Sequence, residues 1–301
     1  MISRRTMSWL LGVSVLAIGA LALARPAAGQ APSQPPLTMH RIAGNLFLVK
    51  GGSGANTAFY ITKNEVFAID AKMSVESAKE MQEAVRRLTI IPVTTVILTH
   101  SDGDHINGLP GFRKGLSLIA HERCKADMVE AAKSMPALAD YLPNATYNES
   151  RLHLYNDDDG EIELAYFGPA HTSGDTVVVF PREKAAFVGD LVFVGRDPVI
   201  HRSKGGRSDG CIRTLEALLE IKPPLEIFLS GHADPAGRAE IEAAVASLEA
   251  LRSKIKALVD AGKTLADVKK AFGIEEAPAP PGGRRYMGPV ETIYLEFTEK
   301  K

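Results

Sequence analysis

The stretch Thr99-His100-Ser101-Asp102-Gly103-Asp104-His105 places two imidazoles and two carboxylates together, directly after the apolar run 93–98. Such groups cannot be buried side by side without a compensating cation, because an unpaired buried carboxylate is costly. A metal ion is the simplest compensation. An apolar run that ends in ligand-type residues also says where the groups stand: in a loop beyond the end of a strand.

Working outward, the same pattern recurs. Run 162–167 precedes His171, run 185–188 precedes Asp190, and run 225–229 precedes His232. In layered α/β proteins functional groups gather in loops beyond strand ends, where rigid elements hold them without burying backbone groups. Gly168, Gly189 and Gly231 lie beside these positions and permit close or unusual backbone paths. His40, His121 and His153 fall outside the scheme and take the ordinary reading of a surface or hydrogen-bonded core histidine, while His201 is kept in reserve.

The rest of the chain alternates strand and helix patterns. Runs 46–49, 58–61 and 66–69 are short and β-prone, separated by turn residues, and predict consecutive antiparallel strands. Gly51-Gly52-Ser53-Gly54 between the first two is read as a hairpin tip bordering a cleft. A phosphate-binding loop would need a helix start after it, and here a strand follows. Apolar spacing through Val75, Ala78, Met81, Val85 and Leu88 predicts a helix over 73–88, so that a β-α-β step leads into the opening motif.

Beyond the motif, 107–112 is expected to start a helical region and 116–120 to form a strand, and helical pattern resumes over 122–139 with Pro136 interrupting it. Runs 151–155 and 162–167 alternate with period two around Asn156-Asp157-Asp158-Asp159-Gly160. That acidic stretch lacks the spacing of a calcium loop and is read as a solvated hairpin turn. Strands are expected at 176–180, 185–188 and 225–229, a long helix over 239–259, a short helix opened by Thr264 and ending near Gly273, a linker at 277–283, and a closing strand over 290–297.

The N-terminus stands apart. Arg4 and Arg5 lead into the uncharged run 9–24, too short for a spanning helix, so residues 1–30 are read as a cleavable export signal, with an uncleaved anchor as the alternative. The paired arginines resemble a twin-arginine signal with Met7 and Ser8 in place of the usual Phe and Leu, which keeps the general secretory route open. The expected address is therefore periplasmic or secreted, with no stable membrane span once the signal is removed. Residues 31–36 are a linker and 37–301 a single folded domain. Loss of Arg4, Arg5 and Arg25 leaves a mildly acidic mature chain, so nucleic acid is not an expected partner and a small molecule is. Cys124 and Cys211 belong to no paired metal-ligand spacing; an exported chain could bridge them, or they are two small buried residues. Nothing in the sequence fixes an oligomeric state.

Taken together, His100, Asp102, Asp104, His105, His171, Asp190 and His232 resemble the metal-binding set of the metallo-β-lactamase superfamily, whose pattern is His-x-His-x-Asp-His, then a distant His, an Asp and a final His. The resemblance runs over nearly all of residues 37–297. It implies an α/β fold built as a four-layer αβ/βα sandwich, two mixed β-sheets flanked by helices. It further implies that His100 and His171 hold one metal, that Asp104, His105 and His232 hold the other, and that Asp190 bridges them. One position departs: the family's second histidine is Asp102 here. A carboxylate is a harder ligand than imidazole, so zinc remains the first expectation for the two divalent ions, with iron or manganese better tolerated.

The implied chemistry is hydrolysis. Two adjacent metals lower the pKa of a shared water, giving a bridging hydroxide near neutral pH, and polarise a carbonyl or phosphoryl oxygen. Asp104, by resemblance, orients that hydroxide, so Asp104 and Asp190 are the catalytic candidates; Thr99, Ser101 and Ser173 are candidates for orienting the ligands. In the loop 198–207, His201 and Lys204 are candidates for gripping an anionic substrate, against the reading of a solvated basic loop. The expected activity is that of an exported dinuclear metallo-hydrolase acting on an ester, lactone, amide or thioester, with β-lactams as a special case. Two alternatives accompany it. One is a di-iron oxidoreductase, since the flavodiiron branch places a Glu where Asp102 stands, although no flavin domain fits in this chain. The other is a non-catalytic metal-binding protein.

Overall fold

The structure, a computed structural model, describes residues 34–275 and 287–299. The leader read over 1–30, the first three linker residues and the 277–283 linker lie outside the described residues.

Strands β1 (Thr38–Ala43), β2 (Leu46–Lys50), β3 (Thr57–Ile61) and β4 (Val66–Ile69) form an antiparallel meander. Helix α1 (Val75–Arg86) then crosses to β5 (Thr95–Ile97), which pairs parallel with β4. The crossover is built as the sequence indicates: Ser74 caps α1 by accepting from the Ser77 amide at 3.2 Å, and Ala78, Met81 and Val85 form its buried stripe. After a single turn, α2 (Gly103–Ile106), come β6 (Ser117–His121), α3 (Glu122–Ser134) and β7 (Ala145–Tyr147), which complete a seven-stranded sheet in chain order. Pro136 ends α3 as expected, its missing N–H leaving only a 3₁₀ segment, Pro136–Tyr141.

The second sheet has five strands in the order β12-β11-β10-β9-β8, made of β8 (Arg151–Asp157), β9 (Gly160–Ala165), β10 (Val177–Phe180), β11 (Ala185–Phe187) and β12 (Ile227–Leu229). Asp157 faces Gly160 across the β8–β9 hairpin, which makes the acidic stretch a tight turn. Helix α4 (Ser208–Glu220) joins β11 to β12 and gives them a parallel pairing; α5 (Arg238–Asp260), α6 (Leu265–Ala271) and α7 (Pro289–Thr298) follow.

Period-two alternation makes the layers. In β3, Ala58 and Tyr60 face the second sheet while Phe59 faces the first sheet's helix layer. In β10, Val178 and Phe180 face the first sheet while Val177 and Val179 face the core packed by α4, α5 and α7. Both sheets are thus buried on two faces, each large side chain contributing on the order of 1.5–3 kcal/mol, and the expected four-layer αβ/βα sandwich with two mixed sheets is observed.

Three local readings are corrected. The segment 290–297 is helix α7, not a closing strand: Gly288 and Pro289 open it, and Val290 and Ile293 are buried with Tyr294 and Phe297 packed beside them, a helical stripe that its β-branched and aromatic content masks. Helix α4, which the sequence reading does not assign, buries Cys211, Leu215 and Leu218 at the same spacing. The helical turn expected over 107–112 lies earlier, inside the ligand motif, with only the 3₁₀ turn Leu109–Gly111 after it. Cys124 and Cys211 are free and buried in different cores, on opposite sides of the molecule's two-sheet centre. Among the described residues no helix is long and apolar enough to cross a membrane.

Candidate metal centre

The strands that carry the candidate groups all run the same way within their sheets, so their carboxyl ends lie together. Asp70 follows β4, the Thr99–His105 motif follows β5, His171 follows β9, Asp190 follows β11 and His232 follows β12. The loops from the two sheets are tied to each other by backbone bonds, Thr176 N to Thr99 O at 2.7 Å and Asn56 N to Gly231 O at 2.6 Å.

Helix α2 divides the motif between two sites. Its first bonds run from the amides of His105 and Ile106 back to the carbonyl of Asp102, at 2.9 and 3.1 Å. Asp102 therefore stands outside the turn with extended backbone, and Asp104 and His105 stand inside it. The result is two groups that could each hold an ion: His100, Asp102 and His171, and Asp104, His105, Asp190 and His232. Asp190 reaches both. Its Oδ1 is 3.2 Å from His105 Nε2, and its Oδ2 is 3.2 Å from His232 Nε2 and 4.0 Å from the Nε2 atoms of both His100 and His171. All seven residues expected from the sequence are brought together.

The donor set fits metal ions on two further observations. His100 Nε2, His105 Nε2 and Asp190 Oδ1 are buried with no hydrogen-bond partner, a costly condition that a cation between them removes. The charges point the same way. Burial, with His105 and His171 beside it, holds His100 well below the usual imidazole range, so its ring is a neutral donor. Burial also lowers His171, but its bond to Asp102 and the charge of Asp190 outweigh this and draw it up to about 9. Bonds to Asp104 and Asp190 draw His232 up to about 9 as well. These rings carry positive charge beside the carboxylates of the site, the place that a bound cation would take over.

The residue the sequence reading missed is Asp70, wholly buried at the end of β4. It accepts from the Thr99 amide at 2.8 Å, from Thr99 Oγ1 at 2.8 Å and from His105 Nδ1 at 2.7 Å. A carboxylate can only accept, so His105 carries a proton on Nδ1, and the ring presents its Nε2 to the site, 3.2 Å from Asp190 Oδ1. Thr99 Oγ1, having given its hydrogen to Asp70, accepts from His100 Nδ1 at 2.8 Å and fixes that ring alike. His171 is set by the carbonyl of Val199, 2.8 Å from its Nδ1. The signal for Asp70 was the one used elsewhere, a ligand-type residue closing an apolar strand; that for Val199 does not exist, since a carbonyl belongs to every residue.

Thr99 thus takes the orienting role expected of it. Ser101 instead donates to Asp127 at 3.3 Å, and Ser173 contributes its backbone. His201 and Lys204, expected to face an anionic substrate, converge on Asp102: His201 Nε2 lies 2.7 Å from Oδ2 and Lys204 Nζ 2.7 Å from Oδ1. The anion that both heads meet in this structure is a carboxylate of the site itself. Phe193 lies parallel to the His232 ring, 5.8 Å between centroids, and the Arg196 guanidinium lies over the Phe193 ring, 4.4 Å from its centroid. The glycines serve closeness: a Cβ at Gly231 would stand 2.8 Å from His105 Cε1 and collide with Asp190 Oδ1, and Gly189, at φ 52, would bring one 2.9 Å from Thr99 Oγ1. Of the other histidines, His121 is buried against Tyr166, His40 is exposed beside Thr38, and exposed His153 pairs with Glu163 at 3.4 Å.

Comparison with known proteins agrees with this geometry. The chain is 27% identical over 265 residues to the 2,4-dinitroanisole O-demethylase subunit alpha of Nocardioides sp. (strain JS1661), covering 84% of this chain and 75% of that protein. It is 24% identical over 237 residues to the metallo-beta-lactamase type 2 of Elizabethkingia meningoseptica, covering 76% and 89%. Among solved structures, the DIM-1 metallo-beta-lactamase superposes with a TM-score of 0.62 at 20% identity over 72% of this chain and 99% of that one. The sec-alkylsulfatase Pisa1 from Pseudomonas sp. gives 0.67 at 14% identity over 87% of this chain but only 50% of its own. The family pattern of the metallo-beta-lactamase superfamily matches residues 51–232, and with that match the chain belongs to the metallo-beta-lactamase superfamily.

Proposed function

We propose that this chain is an exported dinuclear metallo-hydrolase that cleaves an ester, lactone, amide or thioester bond, with β-lactams within its range. The observation that carries the reading is the position of Asp190, whose two oxygens reach toward both His/Asp groups. His100, Asp102 and His171 would hold one divalent ion and Asp104, His105 and His232 the other, with Asp190 shared; zinc is the first candidate. Ions held there supply a nucleophilic water near neutral pH and polarise the substrate's carbonyl.

The chain's own residues supply order and proton handling. Asp70, Thr99 and the Val199 carbonyl hold three imidazoles by Nδ1, so that each ring presents its Nε2 to the site. Asp104 is the most exposed carboxylate of the two groups, its Oδ2 2.8 Å from His232 Nε2, and would orient the attacking water. The export address rests on the leader-like sequence of residues 1–30.

The test is metal content of protein purified without added metal, followed by hydrolysis of a panel of lactams, lactones, thioesters and phosphodiesters. The O-demethylase relative adds aryl methyl ethers to that panel. Two zinc ions per chain with turnover of an acyl substrate is the expected result. Stoichiometric iron with oxygen-dependent turnover overturns it in favour of the oxidoreductase reading that Asp102 suggests.

A further inference from the structure

Position 102 carries a negative charge where the family pattern has a neutral imidazole, so the His100/His171 group gains an anion. Lys204 stands against it. Its ammonium lies 2.7 Å from Asp102 Oδ1, 3.0 Å from the Ser101 carbonyl and 3.1 Å from Ser101 Oγ, which takes up all three of its donors. The other oxygen, Oδ2, is turned into the group, 3.1 Å from His171 Nε2 and 3.7 Å from His100 Nε2, with His201 Nε2 at 2.7 Å.

The segment that presents Lys204 is itself pinned to the loop that carries His171. The His201 amide bonds to the His171 carbonyl at 2.8 Å, the Ser173 amide to the Lys204 carbonyl at 2.8 Å, and the Arg207 amide to the Ala170 carbonyl at 2.7 Å. Gly205, at φ 76, closes the short turn Arg202–Lys204 that aims the side chain. The lysine is thus held in register with both a histidine and the carboxylate of one ion group, from a segment far from either in sequence.

We propose that Lys204 is a positioning residue that turns Asp102 into a one-oxygen, charge-compensated metal ligand. Resting on the metal-centre reading above, the pair offers the first ion a hard oxygen while carrying the net charge of an imidazole. With Oδ1 held by Lys204, Asp102 would offer an ion its Oδ2, the oxygen that faces His100 and His171 and also meets His201, and the preference for harder ions that a bare carboxylate brings would be restrained.

The test uses full-length mature protein stripped with chelator and titrated with Zn²⁺, Mn²⁺ and Co²⁺, folding being checked by circular dichroism. In Lys204→Met, Oδ1 is released: the ratio of Mn²⁺ to Zn²⁺ affinity at the first site rises about tenfold, and the visible Co²⁺ bands weaken as a donor is added. Lys204→Arg, which keeps the positive charge against Oδ1, stays nearer the wild-type ratio and spectrum than Lys204→Met does. Asp102→His leaves the lysine facing an imidazole and an ion, so first-site Zn²⁺ affinity falls about tenfold or more; Asp102→His with Lys204→Met recovers it. Should Lys204→Met not fold, this second pair carries the test. The proposal is overturned if Lys204→Met shifts both ions in parallel with an unchanged Co²⁺ spectrum, if the double variant fails to recover, or if Lys204→Met alters only KM for anionic substrates, which returns Lys204 to a substrate role. A wild-type protein that binds no ions overturns the metal-centre reading itself, and two bound ions with an inert Lys204 overturns this inference alone.

Discussion

Asp70→Asn is the sharpest probe of the centre, because it alters one atom of a residue that belongs to neither ion group and acts on them only through His105 and Thr99. Asp70 has φ 62, a region asparagine tolerates, so the backbone is not disturbed. The carboxylate now receives three hydrogen bonds at 2.7–2.8 Å. An amide in its place can keep the Thr99 amide bond through its oxygen, but then its NH₂ faces Thr99 Oγ1 and His105 Nδ1. His105 must lose its partner or move its proton to Nε2, where the lone pair for an ion should be. One or two buried bonds to a charged acceptor are lost, about 1.5–3 kcal/mol each, and mis-set ligands typically cost about 10–100-fold in metal affinity. That range is about 1.4–2.7 kcal/mol. Chelator competition for Zn²⁺ measures the affinity, and denaturant unfolding of the metal-free form measures the stability. Both losses are expected together, with Thr99→Val, which removes the hydroxyl between Asp70 and His100 but leaves the Asp70–His105 bond in place, showing a smaller affinity loss. An Asp70→Asn protein that binds Zn²⁺ within about threefold of wild type would refute the orienting role.

Gly231→Ala is expected to fold yet lose the ion at the Asp104/His105/His232 group, since its Cβ collides with Asp190 Oδ1; metal analysis decides. Asp190→Ala removes the shared carboxylate and is expected to lower turnover by roughly a hundredfold or more; full activity would show that Asp190 is no bridge. Lys72, wholly buried with its ammonium 2.7 Å from the Ala55 carbonyl and 2.8 Å from that of Gly51, is held down to about 8 from its ordinary 10.5 by burial. The unfolded chain then binds more protons between those values, so stability rises with pH there, by about 3 kcal/mol in all. Unfolding free energies at about pH 7 and about pH 10 should show that increment in the wild type and not in Lys72→Met.

Much of this was legible in the sequence because strands and ligands follow short-range rules. A run such as Thr95–Ile97 declares a buried strand, and a His or Asp closing it declares a site. What was not legible depends on partners distant in the chain. Asp70 and Lys72 are meaningful only once Thr99, His105 and the 51–55 loop are placed around them. Lys204 reads as a solvated base until its segment is docked on the His171 loop. Helix α7 was misread because Val290, Thr292 and Ile293 suit a strand in isolation, and packing against α5 decides otherwise.

The relay from His100 through Thr99 to Asp70 and on to His105 is made wholly of protein atoms. The aim of these rings therefore rests on the fold's own hydrogen bonds, and an ion would add partners for the buried His100 Nε2, His105 Nε2 and Asp190 Oδ1. A receptacle ordered in this way is expected to keep its fold when stripped of ions, so the ion recovered with a purified sample would follow the medium in which it was filled.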